Sequence, residues 1–275
     1  MSTENYEAET NKWREERAAN LRNNERSWFA LAGLFWLKEE DNSFGSDPDN
    51  DFVLPPFAPK KAGVFHFNNG IVTVTPEAGV SITCRRKRIT LRPLRDDQDE
   101  NPDFLFMRRL IMVVIKRGTA TLIRIWDRKH PDRLAFKDLN YYPYKPEYRI
   151  LADYTGYAPF KVVKQKDIIG EMSDRKMIGF ITFEWQGQKY SLDAEDGGDG
   201  LFLAFRDGTT AETTYAGGRY LETEKPAEGK VTIDFNRAYN PPCGYVTFAT
   251  CGLPTPDNRL PIRIEAGEKK YRQDH

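Results

Sequence analysis

The sequence predicts an all-β protein with an N-terminal helix, a β-sandwich over 33–140 and a second antiparallel, barrel-like β domain over 141–275. Three observations carry this expectation. From Gly33 onward, short apolar stretches alternate with Gly, Pro, Asn and Asp, the punctuation of all-β chains. Two turns, Asn69-Gly70 and Gln186-Gly187, register their flanking strands pair by pair. Helical spacing is confined to the first residues, where Trp13, Leu21, Trp28 and Leu31 recur over 4–31. Residues 1–32 are therefore assigned to an amphipathic helix that packs on a β domain.

The hairpins follow in order. Around Asn69-Gly70, Phe67 faces Val72 and Phe65 faces Val74, while His66 meets Thr73 on the polar side. Around Gln186-Gly187, Phe183 faces Tyr190 and Ile181 faces Leu192, with Glu184 opposite Lys189 and Thr182 opposite Ser191. A third turn at Arg117-Gly118 joins Leu110–Lys116 to Thr119–Asp127 and sets Arg108 opposite Asp127, as an ion pair. Tyr141-Tyr142-Pro143-Tyr144-Lys145-Pro146 marks the domain boundary. Later strands are expected at Arg149–Tyr154, Phe160–Lys166, Met177–Trp185, Lys189–Ala194, Leu201–Arg206 and Lys230–Phe235.

Composition narrows the function classes. The 41 basic and 41 acidic residues balance, so no net field favours nucleic acid or an anionic membrane. The run Arg85-Arg86-Lys87-Arg88 reads as a solvated edge. No apolar leader opens the chain, and the apolar run Leu110–Ile115 is too short to span a bilayer. The expected setting is cytoplasmic, without membrane or nucleic-acid partners, and with reduced thiols.

The chemistry-bearing residues gather near the C-terminus, from Asp234-Phe235-Asn236-Arg237-Ala238-Tyr239-Asn240 through Cys243 and Cys251 to Asn258-Arg259. Asn-Pro steps make this a shaped loop. Its polar groups can pin the loop over a sheet end, satisfying stranded backbone groups. They can equally face a cavity in which Arg237 and Arg259 hold an anion and Asp234, Asn236, Tyr239, Asn240 and Asn258 orient a ligand. Tyr215 and Arg219, beside Gly217-Gly218, are candidates for the same wall. For Arg237, a clamp role is the leading expectation. Glu195–Gly200 reads as a flexible hairpin tip.

Cys243 and Cys251 read first as buried, inert thiols, and a disulfide between them is geometrically possible but disfavoured in a reducing cytosol. Cys243 as a catalytic thiolate would need a base, and His130 is the loop histidine that could serve. With three histidines, one of them terminal, and no CxxC or HxxxH, no metal site is expected. No cofactor or oligomeric state is indicated.

Two resemblances add to these readings. Phe44-Gly45-Ser46-Asp47-Pro48-Asp49-Asn50-Asp51-Phe52-Val53-Leu54-Pro55 resembles the opening of a forkhead-associated domain, a β-sandwich that reads phosphothreonine. Ser46 stands where that family places Arg, and Pro55-Pro56-Phe57-Ala58-Pro59 replaces its Ser and His. The resemblance therefore implies the fold rather than the phosphopeptide site. Gly33–Leu37, Tyr215–Leu221, Asp234–Cys243, Ala249-Thr250-Cys251, Asn258-Arg259-Leu260 and Ala266-Gly267-Glu268 together resemble a family known as domain of unknown function sixteen eighty-four. That family brings no established activity. The expected function is binding, with turnover possible, of a small anionic or sugar-like molecule in a polar pocket under the C-terminal loop. The alternatives are a peptide-recognising interaction module and a cysteine-dependent enzyme.

Overall fold

The computed structural model describes residues 3–271 apart from Thr90, so the terminal His275 lies outside the described residues. The chain is mostly β and forms two compact units, one of residues 21–136 and one of residues 1–20 with 137–275. Helix α1 (Thr3–Asn23) ends earlier than its hydrophobic spacing predicts. Ser27 donates its amide to the Asn24 carbonyl and Arg26 to the Asn24 side chain, which turns the chain. Trp28 then falls in a 3-10 turn, and Leu31 opens a strand.

The unit of residues 21–136 holds β1 (Leu31–Trp36), β2 (Glu40–Gly45), β3 (Phe52–Val53), β4 (Gly63–Asn68), β5 (Ile71–Pro76), β6 (Thr83–Cys84), β7 (Lys87–Arg88), β8 (Leu105–Met107), β9 (Leu110–Arg117) and β10 (Ala120–Asp127), then α2 (Pro131–Ala135). The strands form two sheets, ordered β1-β10-β9-β8-β6-β7 and β3-β2-β4-β5. One core lies between them. Phe44, Phe65 and Val74 come from one sheet, and Leu105, Met112, Val114 and Ile123 from the other. Burying such faces against each other is what makes a sandwich.

The Asn69-Gly70 register is as the sequence predicts, with Phe67 opposite Val72 and Phe65 opposite Val74. The β9–β10 register differs. Arg117 pairs with Ala120, so the loop residues are Gly118 and Thr119, and Leu110 rather than Arg108 stands opposite Asp127. Gly118 takes a positive φ at the first loop position, which shifts the pairing by two and keeps each side chain on its face. The ion pair forms with the neighbouring Arg109, at 2.7 Å. The Arg85–Arg88 run is exposed, with Lys87 and Arg88 on the edge strand β7, as the sequence predicts. Arg85 lies 3.3 Å from the buried Asp103, which also takes Arg92 at 2.7 Å and Arg95 at 3.3 Å. Burial raises the Asp103 pKa, but the Arg92 bond, the Arg95 amide and the Cys84 thiol outweigh it and hold the carboxyl at about 2.

The other unit is one antiparallel sheet with strand order β15-β14-β13-β12-β11-β16. Its strands are β11 (Arg149–Lys166), β12 (Met172–Trp185), β13 (Gln188–Asp196), β14 (Leu201–Phe205), β15 (Arg219–Glu222) and β16 (Lys230–Asp234). The two strands expected over 149–166 are one, irregular between Gly156 and Lys161. The Gln186-Gly187 hairpin has the predicted register, Phe183 opposite Tyr190 and Ile181 opposite Leu192. The sheet curls around Ile181, Phe183, Leu203, Phe205, Ile233 and Phe235. Edge strand β15 is tied to the chain just beyond the other edge strand, β16, through one bridge, in which Tyr220 and Tyr239 exchange backbone hydrogen bonds of 2.8 and 2.9 Å. This closes one end of the barrel and leaves β15 and β16 apart elsewhere. No helix among the described residues is long and apolar enough to cross a membrane.

Candidate functional site

The open seam between β15 and β16 is a cavity of about 530 Å³. Glu222, Thr223 and Glu224 line it from β15 and the residues that follow. Thr232 and Asp234 line it from β16, with Arg237 and Tyr239 just beyond. Asp199 enters from the β13–β14 hairpin. That hairpin tip is seated, because a Cβ on Gly200 would stand 1.7 Å from the Thr223 carbonyl oxygen. Arg149 enters from the start of β11, and α1 covers the opening with Tyr6, Glu9 and Trp13. Those three lie at i, i+3 and i+7, one face of a helix.

Helix α1 is docked by guanidinium groups rather than by an apolar stripe. Arg14 donates to the Tyr142 carbonyl at 3.2 Å and stands 4.5 Å from the Tyr141 ring centroid. Arg17 donates to the Asn240 carbonyl at 3.3 Å and to the Tyr245 hydroxyl at 2.9 Å, and lies 4.3 Å from the Tyr239 centroid. It also sits 3.5 Å from Glu268, whose side chain is fully buried. Glu268 accepts from the Tyr245 hydroxyl and from the Asn240 amide at 3.0 Å. Burial raises the Glu268 pKa, and Arg17 opposes that shift. This network fixes the helix, and hence Trp13, over the seam.

The nine sequence-predicted ligand residues separate into two sets. Asp234, Arg237 and Tyr239 line the seam. The Tyr239 hydroxyl donates to Glu222 at 2.6 Å. Burial and then this bond push its pKa well above the ordinary tyrosine value, so it remains a donor. Arg237 is about one-third exposed, and its nearest carboxylate contact is Asp234 at 3.7 Å.

The other six side chains are placed elsewhere. Arg219 is 1% exposed and spends its guanidinium on Asp207 at 3.4 Å and on the Ile264 and Ala266 carbonyls. The following strand can start there because Gly218 has φ +92° and no room for a Cβ beside the Phe205 carbonyl. Asn236 brackets Lys145, accepting from its amide at 3.0 Å and donating to its carbonyl at 2.9 Å. Asn240 serves Glu268 and the Lys269 carbonyl. Asn258 accepts from the Asp193 amide at 2.7 Å and donates to the Asp193 and Ala204 carbonyls, both at 2.9 Å. It thus stitches β13 to β14 where their own ladder stops at Glu195 and Phe202. Arg259 is exposed, and Tyr215 is buried against Cys243 and Cys251. Sequence reasoning missed Tyr6, Glu9, Trp13, Arg149, Asp199 and Glu222. The spacing of Tyr6 and Trp13 on one helix face was the available signal.

The Cys243 and Cys251 thiols pack with Tyr215 and Ala249. The base that a thiol nucleophile would need is not supplied by a described histidine of this unit. His66 and His130 belong to the other unit, where His66 contacts Asp41 and Thr75 and His130 caps α2. Ser46 likewise commits its hydroxyl to the Ala58 carbonyl at 2.9 Å.

The chain belongs to the family described as Protein of unknown function (DUF1684), whose model matches residues 134–269. No curated protein matches it. It is similar to an uncharacterized protein of Haloarcula marismortui solved by solution NMR. That similarity has 30% identity, covers 50% of this chain and 79% of that one, and has a TM-score of 0.42. It also matches the FHA domain of FhaA, crystallised with the intracellular domain of Rv3910. There the identity is 15%, the coverage is 33% of this chain and 96% of that one, and the TM-score is 0.24.

Proposed function

We propose that the protein binds a small, neutral, polyhydroxylated molecule of sugar-like character in the seam cavity, as a cytoplasmic protein. The observation that carries this reading is the composition of the wall. Glu9, Asp199, Glu222, Glu224 and Asp234 stand against only two guanidinium groups, Arg149 and Arg237. Such a wall disfavours a small anion, which supports the sugar-like half of the expected ligand class. It suits hydroxyl groups, which donate to carboxylates and accept from guanidinium and tyrosine. A ligand cation is less well served. Arg149 already lies 3.8 Å from the Tyr6 centroid, and Arg17 covers Tyr239. Trp13 supplies the apolar surface on which a sugar ring can rest. Three cysteines in 275 residues make no disulfide framework, which suits a reducing compartment.

Native mass spectrometry of gently purified protein tests this directly. The expected result is a retained neutral carbohydrate or polyol that Trp13→Ala releases. Retention of a phosphate or carboxylate compound instead would overturn the reading.

One observation favours a second reading, peptide recognition by the sandwich. A cleft of about 730 Å³ in that unit is lined by Lys60, Lys61 and Arg108, with Val80 and Phe106, and none of its lining residues is acidic. This would suit an acidic peptide, and the same mass spectra would show it as a co-purified peptide.

A further inference from the structure

Eight positions apart in sequence, Cys243 and Cys251 meet in space. Cys243 lies in the 3-10 turn Pro242–Gly244, whose preceding prolines restrict the backbone. Its amide donates to the Cys251 sulfur at 3.2 Å. Tyr215 packs beside both thiols in the same buried cluster. The pair is 6% and 8% exposed, inside an apolar cluster with Tyr215 and Ala249. An inert buried thiol needs apolar neighbours only. Here a backbone amide is aimed at one sulfur, and the second thiol belongs to the same residue pair in the same buried cluster.

We propose that Cys243 and Cys251 are a reversible redox site, Cys243 being the sulfur oxidised first by a hydroperoxide and Cys251 the thiol that resolves it. In the first step the Cys243 thiolate attacks the terminal oxygen of the hydroperoxide. An S–O bond forms, the O–O bond breaks, and the departing alkoxide or hydroxide takes up a proton. In the second step the Cys251 sulfur attacks the sulfenic sulfur of Cys243, and the S–S bond forms as water leaves. A dithiol reductant reverses the reaction by two thiol–disulfide exchanges. The low exposure suits hydrogen peroxide better than a bulky disulfide oxidant.

Cys84 provides an internal comparison. It is equally buried at 5% exposed, but its neighbour is Asp103, which accepts from the thiol at 3.4 Å. Burial and then the Asp103 charge raise its pKa, whereas the Cys251 bond, against burial, lowers that of Cys243. Oxidation follows thiolate character, so the two sites should differ in rate.

The test uses the intact chain. It is treated with hydrogen peroxide, quenched in acid, alkylated after unfolding and mapped by peptide mass spectrometry. The expected product is a Cys243–Cys251 link that a dithiol removes, formed at least about tenfold faster than any oxidation of Cys84. In Cys251→Ser, dimedone should instead trap a sulfenic acid on Cys243. Three cysteines oxidising at one rate, or Cys243 passing to the sulfinic acid with Cys251 unlinked, would overturn the proposal. The wild-type map decides the matter even if the variant does not fold.

Discussion

Arg219 opens β15 and Arg237 follows β16 in the same barrel-like sheet, and each has a tyrosine close by in sequence. Arg219 lies inside, with its donors assigned to one carboxylate and two carbonyls. Arg237 lies on the seam wall, loosely paired with Asp234 and one-third open to solvent. The interior set of Arg219, Asn236, Asn240 and Asn258 holds the C-terminal segment and the strand ends in place. The seam set of Asp234, Arg237 and Tyr239 keeps part of its capacity for a ligand. A polar cluster in sequence therefore contains both scaffold and site, and what separates them is whether each group's partners lie within the chain.

That contrast can be broken most forcibly at Arg219. Arg219→Ala strands the buried Asp207 and two carbonyls, and should lower stability by about 3–5 kcal/mol in denaturant unfolding. Arg219→Lys should not restore it, since one ammonium cannot reproduce the guanidinium fork. An unchanged midpoint for Arg219→Ala would remove it from the scaffold.

In the sandwich unit, the Asp103 cluster offers the same kind of test by pH. Its pKa is depressed to about 2 from an ordinary 3.8. Its contribution is therefore present above the ordinary value and lost as pH falls from about 4 towards 2. That amounts to about 2 kcal/mol. Acid unfolding of Asp103→Asn should show a flatter pH dependence in this window, and an identical profile would contradict the assignment.

A smaller effect is expected at Asn258. Asn258→Ala leaves the Asp193 amide and two carbonyls without their side-chain partner, at a cost of about 1–3 kcal/mol. Hydrogen exchange should rise at the Asp193 amide in particular. The smallest change is expected at Arg237. Arg237→Ala should alter the stability of the ligand-free protein by less than about 1 kcal/mol, because its ion pair is long and partly solvated. A loss as large as that of Arg219→Ala would place it with the scaffold.

Legibility in the sequence followed the range of the interactions. Asn69-Gly70 and Gln186-Gly187 gave correct registers because a two-residue turn and alternating side chains over-determine the pairing. Arg117-Gly118 identified the glycine but not its position in the turn, and the register moved by two. The closure of the barrel through Tyr220 and Tyr239 carried no local signal. The packing of α1 on a β domain was legible, but its partners were not, because Arg14 and Arg17 find them near Tyr142, Asn240 and Glu268. The contribution of Tyr6 and Trp13 to the site stayed hidden, although the two share one helix face. Asp234, Arg237 and Tyr239 were found because they lie close together in the chain.

The central claim is that the seam takes a neutral polyhydroxylated ligand. Isothermal titration of a panel of neutral mono- and disaccharides, with matched sugar phosphates and sugar acids, tests it most directly on wild type and Glu222→Gln. The account predicts saturable binding of a neutral member, weaker or absent binding of its charged counterpart, and a loss of affinity in Glu222→Gln. Preferential binding of the anionic counterparts, or binding that Glu222→Gln leaves intact, would contradict it.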